Sequence, residues 1–78
     1  MMRDKGTIGA RIRLVRKRAG LTQVQMGQTL GVSRRLLGNW ERGVIWPSVL
    51  YIADIAETYG VHCDWLVLGE GEMYVDRP

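Results

Sequence analysis

The chain has one cysteine, two prolines and no apolar run near the ~18 residues a membrane-spanning helix needs. Cys63 alone cannot staple its own chain, so the fold must stand on packing rather than on disulfides. The opening residues, Met1-Met2-Arg3-Asp4-Lys5-Gly6, lack the apolar stretch of a secretion signal. The expectation is a cytoplasmic protein without membrane contact. No internal repeat, low-complexity tract, Ser/Gly linker or strand-like segment of useful length is present. Catalytic and metal-binding patterns are also missing. His62 and Cys63 are neighbours with no second Cys or His to complete a metal site or a triad. Asp54 and Glu57, at i and i+3, read as the solvated face of a helix rather than an acid–base pair. Gly69-Glu70-Gly71 is not followed by the Lys-Ser/Thr of a phosphate loop. No metal or cofactor is expected, and an enzyme is the least supported reading.

What is there is one small domain of 78 residues, 46% hydrophobic. A chain of this size buries only about 60% of its unfolded surface, so its core is modest. Its charge is segregated. Met1 to Trp46 holds ten of the Lys/Arg residues against two acids, Asp4 and Glu41; Pro47 to Pro78 holds Arg77 against six acids. One half attracts polyanions and the other repels them, which suits one surface for nucleic acid or an acidic membrane and another for a protein partner.

Apolar spacing predicts five short helices. Thr7 reads as the N-cap of the first, where Ile8, Ile12, Val15 and Ala19 recur at helical spacing until Gly20. Arg16 falls on the flank of that stripe. Thr22 and Gln25 scan as a capping box opening the second, with Met26 and Leu30 on its apolar face and Gly31 at its end. Ser33 caps the third, Arg34 to Arg42. Pro47-Ser48 starts the fourth, with Ile52, Ile55, Ala56 and Tyr59 in step until Gly60. The fifth runs from about Cys63 to Leu68, before a polar tail containing Met73-Tyr74-Val75.

Only Gly31 and Val32 separate the second helix from Ser33, the cap of the third. A turn that tight demands a left-handed residue at Gly31 and no side chain at Gly27 where the helices press together, with Leu37 as the apolar lock. This pattern from Gln23 to Arg42 resembles the helix-turn-helix of the phage Cro/repressor family. Gly20-Leu21-Thr22-Gln23, Trp40-Glu41-Arg42-Gly43, Pro47-Ser48, Ile55-Ala56 and Asp64-Trp65-Leu66 through Gly69 extend the likeness across most of the chain, Thr7 to roughly Glu72.

The resemblance implies an all-α, compact five-helix, lambda-repressor-like DNA-binding domain. Residues 1–6 would form an N-terminal arm, 7–69 the domain and 70–78 a tail. It implies that the third helix lies in the major groove with Ser33, Arg34, Arg35, Gly38 and Asn39 toward the bases. Arg34 and Arg35 suit guanine; Asn39 suits adenine or a phosphate; Gly38 leaves a blank. Gln23 matches a backbone-clamping glutamine, and Arg42 and Arg11 are further candidates for phosphate. Arg11, Arg13, Lys17 and Arg18 otherwise form a solvated face. Arg16 and Glu41 match a family ion pair joining the first helix to the third. The departure is Val44-Ile45-Trp46, apolar where relatives often carry bases.

The function expected is a sequence-specific transcriptional regulator, a repressor binding double-stranded DNA at a pseudo-palindromic operator as a homodimer. Trp46, Trp65, Met73, Tyr74 and Val75 are the candidate dimer contacts, as apolar groups left over once the core is filled. The tail would pair with its symmetry mate or pack on the fifth helix. Trp40 and Trp65 read as core, while Trp46 fits the core edge and an interface equally well. An antitoxin that holds a toxin through the acidic C-terminal half is a second reading. An adaptor without DNA contact is a third, and Arg34, Arg35 and Gln23 speak against it.

Overall fold

The computed structural model describes residues 5–75. Five helices follow in order: α1 (Lys5–Arg18), α2 (Gln23–Leu30), α3 (Arg34–Glu41), α4 (Val49–Tyr59) and α5 (Cys63–Leu68). Among the described residues the only extended pairing is an isolated antiparallel bridge between Val61 and Tyr74.

Local chemistry sets most helix ends. The Thr22 hydroxyl accepts from the Gln25 N–H at 3.1 Å, and the Gln25 side-chain oxygen accepts from the Thr22 N–H at 2.9 Å, closing the capping box. Ser33 and Ser48 accept from Leu36 and Tyr51 in the same way. Gly31 turns left-handed at φ 70°, and its N–H bonds to the Gly27 carbonyl. The start of α1 differs from expectation. The helix begins at Lys5, so Thr7 lies inside it rather than capping it, and Ala19 falls beyond its end and is exposed.

Ile8, Ile12 and Val15 of α1, Met26 and Leu30 of α2, Leu37 and Trp40 of α3, Ile55 and Ala56 of α4, Val61 and Leu66 form one core. Trp40 lies at its centre with its ring centroid 5.1 Å from that of Tyr51. Trp65 is half-buried against the same core. The Thr29 and Tyr59 hydroxyls meet at 2.6 Å, linking α2 to α4.

Two features of α1 position its neighbours. A Cβ on Gly9 would overlap the Trp40 carbonyl oxygen and stand 2.6 Å from that of Glu41, so α1 and α3 cross at a distance only glycine permits. Arg11 reaches across to α5: its Nε and Nη2 each donate at 2.8 Å, to the carbonyls of Leu66 and Val67. Those last carbonyls of α5 have no helical partner, and a guanidinium satisfies both while placing a positive charge at the negative end of the helix. Arg11 is therefore a clamp between α1 and α5, a role that its expected contact with the DNA backbone did not include.

The tail pairs with its own chain. The His62 N–H donates to the Met73 carbonyl at 2.9 Å and the Val75 N–H to the Gly60 carbonyl at 2.8 Å. Met73 packs against the core, while Tyr74 and Val75 stay exposed. Met73 and Trp65 are thus not left over. Each finds apolar partners within the chain and stays partly exposed.

Candidate nucleic-acid interface

The surface begins at the turn Gly31-Val32-Ser33. A Cβ on Gly27 would come within 2.6 Å of the Val32 carbonyl oxygen, so the close return of the chain depends on that glycine. Leu37, fully buried, fixes α3 against the core by one face and leaves the opposite face outward. Ser33, Arg34 and Arg35 all lie exposed at the start of α3.

The electrostatics of that start are unfavourable for an isolated helix. The N-terminal end of a helix carries partial positive charge, yet α3 opens with two arginines and no acid in its first turn. Neither side chain makes a hydrogen bond or ion pair with any described residue. Such a cluster is relieved by an anion.

Behind this exposed face stands a buried network. The Arg16 Nε and Nη2 donate to Glu41 Oε2 and Oε1 at 2.7 and 2.9 Å, a bidentate fork, and Nη1 donates to the Leu21 carbonyl at 3.1 Å. The two side chains are 9% and 4% exposed. The hydrogen bond to Glu41 raises the Arg16 guanidinium above its ordinary pKa, against the lowering effect of burial, and the attraction between the charges adds to the rise. Gln23, the first residue of α2, donates its side-chain amide to Glu41 Oε1 at 3.2 Å. The pair therefore ties α1 to α3 and orients the amide expected to hold the DNA backbone.

Gly38 is buried rather than open on the reading face: Arg42 lies over it, and the Gln23 amide is nearby. The Arg42 Nη2 donates to Asn39 Oδ1. The Val44 and Ile45 N–H groups both donate to the Asn39 carbonyl, at 2.9 and 3.5 Å, so the apolar loop is folded against the end of α3. Trp46 is half-exposed and lines a groove. The sequence foretold the Arg16–Glu41 pairing; Gly9 and the Arg42–Asn39 bond were missed. A glycine inside a helical pattern was the one signal available for the first.

A tight helix-turn-helix whose second helix turns two unpaired arginines outward, braced by a buried ion pair, defines a DNA-binding regulator of the phage-repressor type. A model described as helix-turn-helix matches residues 12–66, and the chain belongs to that family. It is 41% identical over 58 residues to the HTH-type transcriptional regulator YazB of Bacillus subtilis, covering 74% of this chain and 84% of that one. It is 34% identical over 61 residues to the immunity repressor of Bacillus phage phi105, covering 78% of this chain but only 42% of that protein. The P22 c2 repressor bound to a synthetic operator superposes with a TM-score of 0.75 at 28% identity, over 81% of this chain and 96% of that one. The fold is the lambda-repressor-like five-helix domain.

Proposed function

We propose that this protein is a cytoplasmic repressor that holds a pseudo-palindromic operator as a homodimer, with α3 in the major groove of each half-site. The observation that carries the reading is the unpartnered Arg34–Arg35 pair at the exposed start of α3. The guanidinium fork matches the N7 and O6 acceptors of guanine. Gln23 and Arg42 hold the phosphate backbone, and the structure of the P22 repressor with its operator supports double-stranded DNA as the ligand. Bound at a promoter, the dimer blocks polymerase by occupancy.

The test is selection from a randomised duplex pool with the purified protein. A palindromic consensus is expected, with Arg34→Ala or Arg35→Ala costing about 1–3 kcal/mol and relaxing one position of each half-site. A consensus unchanged in both variants overturns the assignment of α3 as the reading helix.

A further inference from the structure

Gly38, Asn39 and Arg42 stand at i, i+1 and i+4 on α3 and its cap, where the side chains of residues 38 and 42 share a face and those of 39 and 42 are neighbours. The Arg42 Nη2 donates to Asn39 Oδ1, while its Nη1 lies 3.0 Å from the point that a Gly38 Cβ would occupy. The backbone beneath is fixed, because the Arg42 N–H donates to the Gly38 carbonyl at 3.0 Å. A guanidinium has no acceptor, so the amide atom facing it must be the oxygen. Glu41, the carboxylate nearest in sequence, is already engaged by Arg16 and Gln23.

Resting on the major-groove reading proposed above, we infer that Arg42 sets the base preference of Asn39, and that Gly38 makes this possible by leaving the guanidinium its seat. An asparagine reads adenine with both ends of its amide: Oδ1 accepts from N6 and Nδ2 donates to N7. Here Oδ1 already accepts from Arg42, and the positive charge beside it opposes the approach of another donor such as the adenine amino group. The amide meets DNA through Nδ2 alone, as a donor. Guanine, which offers two acceptors at N7 and O6, satisfies a donor; adenine offers one acceptor and one donor. Asn39 in this setting selects guanine over adenine.

Two variants separate this from a plain phosphate contact. Arg42→Ala removes the guanidinium. Gly38→Ala sets a methyl group 3.0 Å from Arg42 Nη1, so the guanidinium must give by a few tenths of an ångström; the variant keeps the positive charge near the DNA and substitutes a better helix former. The position that Asn39 governs is found first, as the one where Asn39→Ala relaxes the selected consensus. Affinities are then measured for duplexes carrying guanine or adenine there. Wild type is expected to favour guanine, Arg42→Ala to move the guanine-to-adenine affinity ratio toward adenine by roughly 5- to 100-fold, and Gly38→Ala to move it the same way by a smaller factor. A ratio unchanged in Arg42→Ala, a wild-type preference for adenine, or an Asn39→Ala variant that relaxes no position overturns the inference while the repressor reading stands; a ratio unchanged in Gly38→Ala alone overturns the part given to Gly38. A wild-type protein that enriches no sequence overturns both.

Discussion

Glu41 is an acid set among bases, and its carboxylate is filled by two Arg16 nitrogens before the Gln23 amide reaches it. A buried pair is weak evidence for net stability, because desolvating two ions offsets much of their attraction. Breaking it is another matter, since the surviving charge stays buried without a partner. Glu41→Ala is therefore expected to cost about 3–5 kcal/mol, read as a large fall in the urea midpoint at unchanged slope. Gln23→Ala separates the two tasks of the network. Glu41 keeps its bidentate partner, so stability should move by less than about 1 kcal/mol, while affinity for every operator variant falls by a similar factor. If Gln23→Ala instead unfolds the domain as Glu41→Ala does, its amide is a structural group. The ion pair was legible because Arg16 and Glu41 match a pair of the family the sequence resembles, and Arg16 falls on the flank of the α1 apolar stripe. The seat of Arg42 was not, because a glycine facing DNA and a glycine under an arginine look alike in one dimension.

Helix α1 holds the other elements by two contacts that composition cannot distinguish from ordinary surface. Gly9 reads in sequence as a poor helix former and nothing more. Its meaning appears only with the backbone of α3 lying across it. Gly9→Ala gains helix propensity but drives a methyl group into two carbonyl oxygens, and the overlap should dominate, destabilising by roughly 1–3 kcal/mol. An unchanged or raised melting temperature would show that α1 and α3 can part at no cost. Arg11 reads as one more base on a basic helix, and its clamp on α5 is invisible because both carbonyls belong to the backbone. Arg11→Ala should loosen α5 and lower stability by about 1–3 kcal/mol while leaving the salt dependence of DNA binding unchanged. A phosphate contact would instead reduce the slope of log affinity against log salt by about 0.9. Helix existence and caps were readable because capping and apolar spacing are local. The start of α1 and the return of the tail depend on partners distant in sequence, and there the reading failed.

At the scale of the molecule, the proposed dimer must use what the single chain leaves uncovered. Trp65 and Met73 are taken up by its own core, and the backbone around Tyr74 pairs with residues 60–62. The most exposed large apolar side chains are Val49 and Leu50, at 82% and 77%, beside Trp46 at 49%. They escaped notice because they fall off the stripe of Ile52, Ile55 and Ala56 that marks the buried side of α4. Trp46 and Val49 border an apolar groove of about 380 Å³ whose floor includes Ile8, Ile52 and Val67. Its walls come from α1, α4, α5 and the loop before α4, and none from α2 or α3, so a copy seated there leaves both reading helices free. Exposed apolar side chains clustered around a groove mark an association surface, and a second copy supplies the same side chains in return. Replacing Val49 and Leu50 together by serine keeps the net charge and removes the apolar contact. Because both residues are exposed, folding stability should shift by no more than about 0.5 kcal/mol for each. Light scattering should then show wild type as a dimer at micromolar concentration or on operator, and the double variant as a monomer. The variant should also lose the steep binding curve of a two-half-site operator while keeping its affinity for an isolated half-site. A double variant that dimerises as wild type does would move the interface elsewhere, first to Tyr74 and Val75, also exposed, where truncation after Gly71 tests it.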